Sequence, residues 1–172
     1  MASKPRRSYA QITKADLRKL AEIARADNAD FFARNELAHR YYRKRLLCIA
    51  LCQGAALHYL DGRNGVNDFD VWTFYAEHPA MRFPPRRHAT ADFGKSKFGR
   101  PRAGFEYEGR RVDLLGRSLR VRPSADPIEA LLLYLLTSET KSAKALKQKA
   151  VVLLDPPELL GAVIWPVPKP RP

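Results

Sequence analysis

The chain is short of cysteine, of acidic residues and of long apolar runs, and each shortage closes off a class of protein. Of its 172 residues only Cys48 and Cys52 carry thiols. Both lie in one apolar run with no histidine cluster beside them, a pattern that argues against zinc and offers no disulfide framework. Buried, reduced thiols are the expectation. No apolar stretch approaches the ~20 residues that cross a bilayer, and the basic first residues lead into no signal-peptide core. The sequence therefore predicts a soluble, cytoplasmic protein with no membrane partner. No internal repeat or domain boundary is visible, and the length suits one domain with a sizeable hydrophobic core.

Acid is scarce in a patterned way. The chain holds 31 Lys/Arg against 18 Asp/Glu, a net charge of +13. Residues 1–50 hold 12 cations against 5 acids, and residues 81–122 hold 12 against 4. Residues 123–172 are nearly balanced, and only 51–80 are acidic, with Arg63 against Asp61, Asp68, Asp70 and Glu77. An acidic centre between two basic flanks points to a polyanionic partner, either nucleic acid or a nucleoside triphosphate.

Periodicity and punctuation predict the elements. Residues 1–12 read as a flexible basic arm and residues 13–165 as a single domain, with an extended tail from Pro166 to 172. A helix starts at Thr13 with Asp16 in its first turn, and Leu17, Leu20, Ala21 and Ala24 form its apolar stripe. Asp27, Asn28 and Asp30 predict a break before a second helical piece carrying Phe31, Phe32, Tyr41 and Tyr42. Those aromatics, interleaved with Arg40, Arg43 and Arg45, fit a core beside a solvated basic face better than a base-stacking platform. For Leu46 to Leu51 periodicity does not separate strand from helix, and the following glycine favours a buried strand. A short helix over Ala55 to Leu60 and a loop at Asp61 to Gly65 lead into a central strand, Val66 to Tyr75. Residues 78–104 read as a long Pro/Arg-rich connection, followed by a hairpin turning at Glu108-Gly109 and a short strand at Leu119 to Val121. Asp126-Pro127 opens a helix that is apolar nearly all round, hence buried, and Thr140 caps a last helix through Leu154.

Three acids stand apart from this pattern. In an extended segment alternate side chains share a face, so Asp68 and Asp70 project together while Phe69 and Val71 point the other way. Asp113 sits between Val112 and Leu114 in a second apolar strand. Unpartnered carboxylates in such strands are expensive, and a cation between them removes the repulsion. His58 and His88 are better read as packing or hydrogen-bonding residues than as acid–base groups, and Trp72 as core.

The order of an apolar strand, a Gly turn, a short helix, an Asp-x-Asp strand and a later strand with one acid resembles the DNA polymerase β-like nucleotidyltransferase superfamily. Gly54 stands for the motif glycine, Asp68-Phe69-Asp70 for the acid pair and Asp113 for the third acid. The resemblance implies an α+β fold, a short mixed β-sheet packed against helices with N- and C-terminal helices added. It implies a two-metal transfer of NMP from an NTP such as ATP, with Asp68, Asp70 and Asp113 as catalytic metal ligands for Mg²⁺ or Mn²⁺. Asp113 doubles as a candidate base. The turn Gln53, Gly54, Ala55 would face the triphosphate, with Lys95 and Lys97, or else Lys141 and Lys144 at the start of the last helix, as candidate phosphate cations. Ala55 departs from the usual Ser or second Gly, so a hydroxyl contact to phosphate is missing. The basic flanks favour an RNA or tRNA acceptor, including an enzyme of the toxin–antitoxin kind. A small-molecule or protein acceptor, or a non-catalytic nucleic-acid-binding module on the same fold, are the alternatives.

Overall fold

The computed structural model describes residues 7–83, 87–100 and 106–169. In chain order its elements are α1 (Lys14–Arg34), α2 (Glu36–Tyr42), β1 (Leu46–Cys52), α3 (Gln53–Asp61), β2 (Phe69–Ala76), β3 (Arg87–Asp92), β4 (Arg111–Leu119), α4 (Pro127–Thr137), α5 (Lys141–Lys147), β5 (Val151–Asp155) and β6 (Val163–Trp165), with a 3₁₀ turn at Pro157–Leu159. Six strands form one mixed sheet in the order β3-β4-β2-β1-β5-β6, accompanied by the five α-helices. All neighbours run antiparallel except β2 and β4, which are parallel. A parallel pair needs a crossover. Here the chain leaves β2 for the sheet edge, forms β3, and returns to place β4 between the two.

Local chemistry sets the helix starts. Thr13 and Asp16 exchange bonds in a capping box at α1, and Asp126 accepts from the Glu129 N–H in front of Pro127 at α4. Caps of this kind are each worth roughly 1 kcal/mol. One sheet face carries Ile49, Leu51, Phe69, Val71, Val112 and Leu114 against Leu17, Leu20 and Ala24 of α1 and Ala55 and Ala56 of α3. The other carries Cys48, Ala50, Phe74, Leu119 and Leu153 against Leu131 and Leu135 of α4 and Leu146 of α5. Tyr42, Tyr75 and Phe83 make a separate aromatic cluster that takes in Phe31, Phe32 and Tyr41, so the predicted core role of these aromatics holds.

Several boundaries differ from the sequence reading. The break expected at Asp27 to Asp30 is absent, and α1 runs through it. Buried Asn28 turns inward there and donates from Nδ2 to Thr73 Oγ1 at 3.1 Å, a tertiary bond that offsets its weak helix propensity. The helix expected from Thr140 to Leu154 ends at Lys147, and Val151–Asp155 is instead a fully buried strand beside β1. A short apolar run is ambiguous in sequence, and its position between β1 and β6 decides it. The long connection of 78–104 contains β3, an edge strand whose half-polar R-H-A-T-A-D pattern hides it. The partner of β4 is therefore β3, with Asp92 opposite Arg111, rather than a segment just before Glu108-Gly109. Phe105 falls outside the described residues. β4 itself extends to Leu119, replacing the separate strand expected there. On α4, Leu133 and Leu136 are 54% and 57% exposed, so this helix is buried on one side only.

Of the expected arm, residues 1–6 lie outside the described residues. Ser8 exchanges two backbone hydrogen bonds with Val66, and Ile12 is buried. In the tail, Pro166 to Lys169 has no regular structure, while 170–172 are not described.

Candidate active site

The three acids converge at one end of the sheet because of strand register. β2 and β4 pair with Asp70 directly beside Asp113, and β1 places Cys52 on the other flank of Asp70. Partners in register on parallel strands share a face. Phe69 enters the α1-side core with Phe93 and Phe98, so Asp70 must face the α4–α5 side. Asp68 precedes β2 in a segment fixed by Arg110. This buried arginine donates to the Asn67 carbonyl at 3.1 Å and to the Phe98 carbonyl.

Where β1 ends, α3 begins without a spacer. Gln53 makes the turn at φ 60, in the left-handed region that a non-glycine residue adopts only under constraint. Its N–H is committed to the Ala150 carbonyl at 3.0 Å, which ties the turn to the start of β5. No side chain caps α3, and its first turn carries no acid. The leading N–H groups of a helix, left without an internal acceptor, favour an anion. Lys149 supplies a full positive charge at this point. A Cβ added at Gly54 would lie 3.6 Å from its Nζ, and the same ammonium acts electrostatically on Asp70.

Charge within the site is unbalanced locally. Burial, then repulsion from Asp68 and Asp113, pushes the Asp70 carboxyl up to about 7, against the pull of Lys149 and Arg111. Burial and then Asp113 also raise Asp68, opposed by Arg111 and Arg110. Asp113 is differently placed. Its Oδ1 accepts from Arg111 Nε at 2.8 Å, meets Arg111 Nη2 at 2.7 Å, and lies 3.0 Å from His88 Nε2.

Among the described residues, no three His, Cys, Asp or Glu side chains close into a ready-made metal cage. What the site offers is hard oxygen, from two carboxylates that repel each other beside a third. Mg²⁺ and Mn²⁺ suit such donors, and Mg²⁺ commonly uses one or two carboxylates plus substrate phosphates and water. The donor set thus fits a cation that enters with a triphosphate, and it does not fit a resident zinc.

The sequence-predicted residues divide cleanly. Asp68, Asp70 and Asp113 are brought together, with Gln53 and Gly54 at the strand end next to Asp70, while the Ala55 side chain is buried in the α1-side core. Lys97 is drawn elsewhere, ion-paired with Asp16 at 3.0 Å at the start of α1 and set over the Phe98 ring. Lys95 is an exposed residue of the same loop. Two contributors escape a reading of the sequence, Lys149 and Arg111, while His88 is a hydrogen-bonding residue as expected but with Asp113 as its partner. Lys149 falls inside an expected helix that the structure ends two residues earlier, and His88 inside a strand whose sequence reads as loop. His58, by contrast, is a buried packing residue with Nε2 3.0 Å from the Ala10 carbonyl. Cys48 and Cys52 are buried free thiols, and burial pushes both well above the ordinary thiol range, which makes them inert.

The acid face continues into a cleft. Trp72 and Leu115 follow Asp70 and Asp113 on the same side of paired strands. Together with Arg117, Tyr134, Thr140 and Lys141 they line a cavity of about 1080 Å³ between the sheet and α4–α5. Trp72 is half-buried in this wall and stacks on Phe74, so it is less completely core than its sequence position suggests. No family model, curated protein or solved structure matches this chain.

Proposed function

We propose that the protein transfers a nucleoside monophosphate from an NTP to an acceptor hydroxyl, with Mg²⁺ or Mn²⁺ bound at Asp68 and Asp70 and reached by Asp113. The observation that carries this reading is the in-register pairing of Asp70 with Asp113, next to the uncapped start of α3. A bound divalent cation would supply neutralisation of the triphosphate and of the charge that builds on the leaving pyrophosphate.

The chain's own groups have distinct tasks. The N–H groups at the start of α3 and the Lys149 ammonium hold the phosphates. Arg111 and His88 fix the Asp113 carboxylate through Oδ1. Asp113 Oδ2 receives the proton of the acceptor hydroxyl as its oxygen attacks the α-phosphorus. The bond to the β-phosphate oxygen breaks, and pyrophosphate departs towards Lys149. Acceptor hydroxyl plus NTP thus gives the nucleotidylated acceptor, pyrophosphate and one proton. Orientation and a fixed electrostatic environment provide most of the acceleration in such a scheme.

A second reading, a non-catalytic module that binds polyanions, draws on the Arg111 ion pair that already offsets the charge of Asp113. Incubation with Mg²⁺ or Mn²⁺ and each α-labelled NTP separates the two, with RNA, mixed small molecules and the protein itself as acceptors. Label transfer that disappears in Asp68→Asn/Asp70→Asn is the expected outcome. Absence of transfer to every acceptor, together with absence of metal-dependent NTP binding, leaves the non-catalytic reading standing.

A further inference from the structure

We infer that the cleft between the β2–β4 face and α4–α5 binds a single-stranded polynucleotide, with its terminal hydroxyl at the acids. The inference rests on the nucleotidyl-transfer reading for that last placement and for seating the triphosphate outside the cleft.

The dimensions suit a chain rather than one nucleotide. From Asp113 to Leu119 the β4 floor runs six residues, about 20 Å at ~3.3 Å per residue. One strand of a duplex advances ~3.4 Å per phosphate, so this floor spans several nucleotides. The triphosphate already has a place outside the cleft, at the start of α3 with Lys149, which leaves the cleft to the other substrate.

The lining supplies the matching chemistry. Among the described residues, Arg82, Arg117, Arg120 and Lys141 border it and Glu77 is its one carboxylate. Glu77 is shared between Arg82 and Arg120, at 3.8 Å from each, so four cations against one acid leave a net three positive charges. Apolar Trp72, Leu115 and Tyr134 offer flat surface for bases, and the Arg117 guanidinium lies 5.3 Å from the Tyr134 ring centroid. Cations along a groove with aromatic walls are the recurrent way to hold a single strand without reading its sequence. An acidic peptide would use the cations but leave the rings idle.

Fluorescence anisotropy with labelled single-stranded RNA and DNA octamers tests this, with polyglutamate of equal charge as competitor. Arg117→Gln/Lys141→Gln should weaken octamer binding about tenfold and reduce the magnitude of the log–log salt slope by about 1.4, at ~0.7 per phosphate contact for single strands. Binding of NTP with Mg²⁺ should be unchanged in the same variant. The RNA and DNA arms tell which backbone is preferred. Unchanged octamer affinity in Arg117→Gln/Lys141→Gln and also in Arg120→Gln overturns the inference. So does equal competition by polyglutamate, or weakened NTP binding with octamer binding intact, which would make the cleft a nucleoside pocket. Cleft-dependent octamer binding without any label transfer would sink the catalytic reading and leave this one in place.

Discussion

Replacing Asp70 by asparagine should make the metal-free protein more stable at neutral pH, and the size of the gain follows from the site. The Asp70 carboxyl is displaced from 3.8 to about 7 by burial and by Asp68 and Asp113. At ~1.4 kcal/mol per pH unit this is a ceiling of about 4 kcal/mol. The sign follows from proton binding. Between pH 4 and 7 the folded protein keeps a proton that the unfolded chain has lost, so stability falls as pH rises through that window and the penalty is complete above about 7. Asparagine keeps the shape and removes the charge. Urea unfolding in EDTA at pH 4, 5, 6, 7 and 8 should show the variant and parent nearly equal at the acid end. At pH 8 the variant should lead by roughly 2–4 kcal/mol, or about 4–16 °C in Tm for a chain of this size. Saturating Mg²⁺ should then stabilise the parent, by about 2.7 kcal/mol at a hundredfold excess over Kd, and leave the variant unmoved. A difference that is flat across pH, or an Asp70→Asn variant less stable than the parent at pH 8, refutes the claim that a repelled, half-buried carboxylate occupies this position.

The remaining predictions probe the supports of the site. Lys149→Gln should lower kcat/KM for NTP by about 10- to 100-fold, mostly through KM, and steady-state kinetics with varied NTP reads it directly. Arg111→Gln should weaken Mn²⁺ binding about 10- to 100-fold by loosening Asp113, as loss of a group that orients a ligand typically does; titration followed by electron paramagnetic resonance checks this without turnover. Gly109→Ala should cost about 3 kcal/mol or more in denaturant unfolding, because its Cβ would meet the Gly94 carbonyl oxygen at 1.7 Å, a backbone collision that no rotamer relieves. Asn28→Ala should cost about 1–3 kcal/mol, since it removes the partner of the buried Thr73 hydroxyl midway along β2.

The acids were legible in the sequence for a physical reason. Carboxylates at Asp70 and Asp113 interrupt apolar strands, and their alternation with Phe69, Val71, Val112 and Leu114 fixes which face they occupy. Asp68 lies just ahead of β2, which begins at Phe69 rather than at the expected Val66. The start of α3 was legible from Gly54, and the caps at Thr13 and Asp126 from local hydrogen-bonding chemistry. Tertiary events were not. Nothing local indicates that V-V-L-L at Val151 to Leu154 is a strand, because only the neighbours β1 and β6 determine it. Missing that strand also conceals Lys149, whose role comes from the Gln53–Ala150 hydrogen bond that draws two distant segments together. The hydrogen-bonding role of His88 was legible, but its partner Asp113 was not, because the edge strand that carries it is too polar to announce itself. Lys97 fails in the opposite direction. Its sequence context suggests a phosphate, and its actual partner is the carboxylate of Asp16.

The insertion of β4 between β2 and β3 also governs how the molecule can come apart. The outer pair, β3 and β4, carries His88, Arg111 and Asp113 together, whereas Asp68, Asp70, Gln53 and Lys149 belong to segments around β1, β2 and β5. Peeling that hairpin from β2 removes one half of the constellation as a unit and leaves the other half attached to the main core. Reattachment one residue out of step would turn Asp113 into the layer under α1, among Leu114's present neighbours, so no partly aligned form retains the site. On the nucleotidyl-transfer reading, activity would therefore require correct strand alignment, and a form with the hairpin undocked would be silent however native its remainder.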